Sequence, residues 1–153
     1  AKTLKKYYAD FSFKHPRPID VIRSAEKVSG LELDWYLIDW TQTTNTIDYA
    51  VTSTEENNSI TTVNLERKGL MPMPLDIEVE YTDGTSEWYN IPLRIMRGEK
   101  PLASNVKILN DWAWAYPTYE FTAKKTVKSV EIDPRQRMAD IDKTNNKKII
   151  LYR

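Results

Sequence analysis

The sequence predicts a mainly β protein, a two-layered antiparallel sandwich of about seven short strands preceded by a short α-helical segment. Three observations carry this. Apolar residues recur at helical spacing up to residue 48 and at alternate positions from residue 49. The stretches of period two are short, lie about ten residues apart and are separated by turn residues. Asp83-Gly84 stands between two of them, a dipeptide favoured where strands reverse direction. The chain accordingly divides into a helical part, 1–48, and a sandwich, 49–153.

Within the helical part, Ile19, Ile22, Ala25 and Val28 recur every three residues, and Pro18 suits a first helical position because its missing N–H has no partner there. A helix over 18–28 follows. Ser29-Gly30-Leu31-Glu32 has the form of a capping box and predicts a second helix over 31–40. Leu33, Trp35, Tyr36, Leu37, Ile38 and Trp40 make that helix apolar on more than one face, so it needs a partner beyond its neighbouring helix.

From Tyr49 to Thr54 a first strand is expected, and Ile60 to Arg67 follows with alternation in its second half. Leu75, Ile77, Val79 and Tyr81 face one way while Asp76, Glu78 and Glu80 face the other. Asp83-Gly84 then predicts a two-residue type I′ turn into a strand over 87–95. Pro92 cannot donate to a ladder, which places that strand at an edge or bulged near Pro92. Met71-Pro72-Met73-Pro74 is an extended connection, because each proline fixes its own φ and moves the preceding Met out of the helical region. Further strands at 105–109, 118–123 and 127–132 complete a pattern that points to an immunoglobulin-like sandwich, with a barrel as the other architecture it fits.

Composition narrows function. At 153 residues, with 41% hydrophobic and 29% charged, the chain can bury one core. Its 22 basic and 22 acidic residues leave no net field for nucleic acid or an anionic membrane, so neither is expected as a partner. Without Cys there is no disulfide, thiolate metal site or thiol nucleophile. Four scattered glycines build no phosphate-cradling loop, one His supplies no two-histidine zinc motif, and no Ser stands in a G-x-S-x-G context. No apolar run is long enough to span a bilayer, and the opening residues carry no targeting segment, which leaves the compartment open. A chain opening on Ala1 is expected to be a processed product or a piece of something longer.

Trp112, Trp114, Tyr116 and Tyr119 are the candidate interdomain or ligand-facing aromatics. Flat rings in that number form either a sugar-stacking platform or the packed end of a sandwich, and packing is the commoner use. Asp140-Ile141-Asp142-Lys143-Thr144-Asn145-Asn146 places oxygens at alternate positions, as calcium loops do, but has Asn145 where such a loop has Gly and Leu151 where it has Glu. His15, a single imidazole before Pro16, is expected to be a hydrogen-bonded structural group. Asn57-Asn58-Ser59 matches a glycosylation acceptor, a pattern too short to carry weight.

Three blocks share an order and spacing that cover nearly the whole chain: Phe13 to Pro16 leading through Asp20 to Val28–Trp35; Glu66 to Leu75; and Ile132 to Asp140 with Asn145-Asn146. Together they resemble the C-terminal part of bacterial zinc aminopeptidases of the aminopeptidase N and leukotriene hydrolase type. The first block resembles the last helices of that family's thermolysin-like catalytic domain, and the other two its following β-sandwich. The resemblance implies a parent that removes N-terminal residues from peptides with a zinc-activated water, the zinc held by H-E-x-x-H and a later Glu. Neither that motif nor the family's G-x-M-E-N occurs in this sequence. The resemblance therefore assigns no catalytic or metal-binding residue here. It implies a non-catalytic fragment whose partner is the catalytic region of the same polypeptide, while a stand-alone carbohydrate- or protein-binding module is the alternative.

Overall fold

The computed structural model describes residues 1–151. Three helices come first among them: α1 (Lys2–Phe11), α2 (Pro18–Ser29) and α3 (Asp34–Gln42). Eight strands follow: β1 (Tyr49–Asn57), β2 (Ile60–Arg67), β3 (Leu75–Tyr81), β4 (Ser86–Ile91), β5 (Val106–Ile108), β6 (Thr118–Ala123), β7 (Val127–Ile132) and β8 (Lys147–Ile149). They form two sheets, ordered β1-β2-β6 and β5-β4-β3-β7-β8. Val63 and Leu65 of the first sheet join Ile77, Val79 and Val130 of the second in one hydrophobic core, each fully buried. The protein is thus mainly β and of β-sandwich-like class, as the change of period predicts.

Strands β2, β3, β6 and β7 have the predicted bounds. Alternation is cleanest in β3, where Leu75, Ile77, Val79 and Tyr81 are buried and the residues between them are half-exposed. Strand β8 was not predicted: Lys147-Lys148-Ile149 is too short and too charged to show a period, and it pairs with Ser129–Glu131 at the sheet edge.

Four expectations need correction. The Asp83-Gly84 turn is not a two-residue type I′ turn. Only Gly84 has positive φ (82°), Gly84 N donates to Tyr81 O at 3.0 Å and Tyr81 N to Thr85 O at 2.9 Å, which gives a three-residue loop with Gly in its left-handed position. The type I′ geometry is instead at Asn58-Ser59 (φ 50° and 62°), between β1 and β2. Second, β4 is neither an edge strand nor bulged at Pro92; it stops at Ile91, and a 3-10 turn (Arg94–Met96) follows. Third, β5 pairs parallel to β4, because the long connection over 92–105 returns the chain before pairing begins.

The fourth correction concerns the helices. Ser29 does not cap α3. It is the last residue of α2, its hydroxyl donates back to Ala25 O at 2.7 Å, and Gly30 (φ 74°) ends the helix with its amide on Glu26 O. Instead, the carboxylate of Glu26 accepts the Leu33 amide at 3.0 Å, just before α3. The reciprocal start lies upstream, where Pro18 opens α2 and the Arg17 amide donates to Asp20 Oδ2 at 2.7 Å. Leu31 and Trp35 enter the same core as the strands, and Glu32 N donates to Met96 O at 3.0 Å, so the sandwich supplies part of the partner that α3 needs. Ile38 and Trp40 remain 47% and 49% exposed.

Candidate functional site

Trp112, Trp114 and Tyr116 lie on the connection between β5 and β6 and Tyr119 is the second residue of β6, and the structure splits the four. Trp112 is interior, edge-on to Tyr49 (centroids 5.6 Å, 70°) and 5.2 Å from the Tyr119 ring. Its Nε1 donates to Tyr116 O at 2.8 Å, while the Tyr119 hydroxyl donates to Asn110 O at 2.7 Å. Trp112 and Tyr119 therefore pack, whereas Trp114 and Tyr116 are 54% and 65% exposed. The four rings do not form one platform. Arg67, which sequence reasoning passed over, holds this end together: its guanidinium donates to Gly69 O (2.8 Å), Leu70 O (3.2 Å) and Trp114 O (3.0 Å) and lies 5.8 Å from the Trp114 ring centroid. Its position at the end of β2, beside Gly69, was the available signal.

The calcium-like loop uses its oxygens internally. Asp140 is buried; its Oδ2 accepts the Tyr49 amide at 3.0 Å and its Oδ1 the Asp142 amide at 2.9 Å. Asp142 accepts from Thr144, and Asn145 donates to Asp48 at 3.0 Å. In the amide orientation that satisfies its neighbours, Asn146 donates to Tyr49 O at 2.5 Å and Asp140 Oδ2 at 3.2 Å. This is a polar clamp on the start of β1. His15, expected to be a bonded structural group, is instead exposed on the α1–α2 connection, away from the core.

Glu26, Glu32 and Asp34 bring carboxylate oxygens within 4.8 Å of one another. Arg23 reaches both Glu26 (2.5 Å) and Asp34 (3.0 Å). Burial pushes the Glu26 carboxyl up, but Arg23 and the Leu33 amide outweigh it and hold it below its ordinary value. A set of three carboxylates without imidazole, already compensated by a guanidinium, does not fit the two-His, one-Glu zinc centre that the resemblance implies. No catalytic step is derived from it.

A second polar cluster has a measurable consequence. Glu87 Oε2 accepts the hydroxyls of Tyr81 (2.6 Å) and Tyr89 (2.5 Å), and its Oε1 accepts Lys107 at 2.5 Å. Burial raises the Glu87 carboxyl, yet these donors prevail and bring it to about 2; burial first, then the Glu87 charge, push the Tyr89 hydroxyl up to about 12. A carboxylate depressed on folding stabilises the native state above its ordinary value of 4.5, and that stability is lost as pH falls towards about 2. In denaturant titrations across this window, Glu87→Gln is expected to remove about 1–2 kcal/mol of acid-labile stability, a figure reduced for partial exposure. An unchanged pH slope would contradict the assignment.

Among the described residues, no helix is long and apolar enough to cross a membrane. Comparison of the chain with protein-family models, curated proteins and solved structures gives no match.

Proposed function

We propose that this chain serves as the non-catalytic C-terminal portion of a zinc-dependent aminopeptidase, packing on the catalytic portion and supporting it, with zinc and peptide substrate bound there. The observation that carries the reading is the uncovered apolar surface of the helical part. Helix α1 buries none of its residues, Leu4 and Tyr8 are 65% and 71% exposed, and Ile38 and Trp40 of α3 are half-exposed. An apolar groove of about 150 Å³, lined by Trp40, Ile47, Met71 and Ile141 among others, adjoins α3. Apolar surface of this kind fits burial against another folded unit. The order of the three sequence blocks supports the family. The strand orders β1-β2-β6 and β3-β7-β8 support an immunoglobulin-like topology, since they follow the A-B-E and C-F-G orders of such sandwiches.

The test is hydrolysis of aminoacyl anilides, with added zinc, by residues 1–153 and by the full product of the reading frame. Zinc-dependent release is expected from a longer product carrying H-E-x-x-H, and Trp40→Asp in that product is expected to weaken it through lost packing. Release by residues 1–153 alone, or a full product without the motif, overturns the reading.

The exposure of Trp114 and Tyr116 favours a second reading, a stand-alone carbohydrate- or protein-binding module. Titration of soluble polysaccharides, followed by tryptophan fluorescence, separates the two. A saturable change abolished by Trp114→Ala would favour the module.

A further inference from the structure

A cleft of about 220 Å³ lies where the turn after β7 approaches β3, β4 and the chain before β5; Asp76, Trp88, Lys100, Val106, Arg135 and Arg137 are among the residues lining it. Its charges do not cancel. Lys100 Nζ donates to both oxygens of Asp76 (2.9 and 2.7 Å), and Asn90 Nδ2 adds a third donor at 2.8 Å, so this acid is satisfied. Arg135 lies 4.6 Å from the Trp88 ring centroid, a contact that orients the guanidinium while leaving its N–H groups free to donate. Among the described residues, neither Arg135 nor Arg137 forms an ion pair with a carboxylate. Two guanidiniums therefore border the cleft without an anion.

The turn that carries them is held in an unfavourable backbone conformation. Asp133 and Gln136 have φ of 47° and 50°, a region that side-chain-bearing residues seldom occupy. Four hydrogen bonds keep them there: Asp133 N to Asp76 O (2.8 Å), Gln136 N to Asp133 O (2.8 Å), and the amides of Arg137 (3.0 Å) and Met138 (2.6 Å) to the Asp133 carboxylate. The backbone that carries both arginines is thus fixed before any ligand arrives, and the Trp88 ring places the exposed Arg135 side chain as well, which lowers the ordering cost of binding.

We propose that this cleft binds a carboxylate of a peptide, with Arg135 and Arg137 donating to its oxygens and Trp88 and Val106 forming the wall for the adjoining residue. The guanidinium fork matches the planar carboxylate. The wall of Trp88 and Val106 suits an anion that carries an adjoining residue, which a peptide carboxylate has and free phosphate lacks. The carboxylate is either a chain terminus or an acidic side chain. This inference does not depend on the aminopeptidase reading, and each can fail without the other.

The experiment titrates isotopically labelled protein with four probes and follows the indole N–H resonance of Trp88, assigned through Trp88→Phe. The probes are acetyl-trialanine with a free terminal carboxylate, the same peptide as its amide, acetyl-Ala-Glu-Ala-amide, and inorganic phosphate. Ionic strength is about 0.15 M, where distant charges are screened. A saturable shift is expected with the first or third probe, which distinguishes the two sources, and none with the second. Arg135→Gln and Arg137→Gln should each weaken binding about tenfold, the loss of one charge-assisted contact. Lys124→Gln, which removes one positive charge from the β6–β7 turn, should change it by less than about twofold. Should a glutamine variant disturb the fold, Arg135→Lys keeps the charge, loses the fork and should give an intermediate affinity. No saturable shift with either carboxylate peptide, an equal shift with the amide, or equal weakening by Lys124→Gln overturns the site. Phosphate binding more tightly than both peptides overturns the carboxylate assignment.

Discussion

Gly69→Ala is expected to destabilise the fold by about 3 kcal/mol or more, although it adds a single methyl group. A Cβ at residue 69 would lie 2.2 Å from Thr46 O, 2.7 Å from Asp48 N and 2.9 Å from Thr46 C, all backbone atoms that cannot rotate away. The approach is close because the two segments are laced together. Lys68 N and Gly69 N both donate to Asp48 O (2.8 and 3.0 Å), and Met71 N donates to Thr46 O at 3.1 Å. Admitting the methyl means parting these segments at the point where β1 begins, and the buried bonds are then lost along with the packing of Met71. Two other glycines calibrate the result. At Gly98 the nearest atom is the Leu31 Cδ2 methyl at 3.3 Å, which can shift, so Gly98→Ala should cost less than about 1 kcal/mol. At Gly30 there is open space but φ is 74°, so Gly30→Ala should cost about 1 kcal/mol from backbone strain alone. Chemical denaturation of the three variants gives the ranking. A Gly69→Ala protein no less stable than the Gly98→Ala protein would show that the 46–48 and 68–71 segments are not held this closely.

What was legible in the sequence follows from what is local. Strands β2, β3, β6 and β7 were readable because side chains alternate across a pleated strand, so burial on one face writes itself into alternate residues. The start of α2 was readable because Pro18 has few other places to go. Ser29-x-x-Glu32 misled because a Ser can bond a carbonyl four residues back as readily as it caps forward, and the following Gly30 favours ending a helix. Asp83-Gly84 misled because the same dipeptide serves a three-residue loop when Thr82 joins it. Trp112 and Trp114 could not be told apart, since what buries the first is Tyr49, far away in the chain. The arginine cleft was out of reach for the same reason: Asp76, Trp88, Lys100 and Arg135 meet only after β3, β4 and β7 have paired. Long-range pairing, not local preference, makes the candidate sites.

Asp140→Ala is expected to cost about 2–4 kcal/mol, the largest loss from removing one polar side chain, while Asp140→Asn should cost about half of that. Tyr49 is fully buried and its amide has the Asp140 carboxylate as acceptor, so truncation strands a buried donor rather than returning it to water. The loss spreads. The same carboxylate takes the Asp142 amide, the Asn146 side chain bridges it to Tyr49 O, and Ile141 N donates to Ile47 O at 3.0 Å alongside the Ile47–Asp140 bridge. Once the carboxylate goes, the loop over 140–146 loses the contact that orders it and β1 loses the strap at its first residue. Asparagine keeps one oxygen for the Tyr49 amide but forfeits the charge and the second acceptor, which is why its cost is intermediate. Tyr49 amide hydrogen exchange should accelerate in Asp140→Ala more than the exchange of Leu65, whose strand lies outside the clamp. A clamp and a calcium loop also differ in one cheap observation. Because backbone amides and Thr144 already occupy the carboxylates, added calcium should leave the Tm of the wild-type protein unchanged. A calcium-dependent rise that Asp140→Ala abolishes would mean that these oxygens turn outward to bind an ion and that the clamp is not their role.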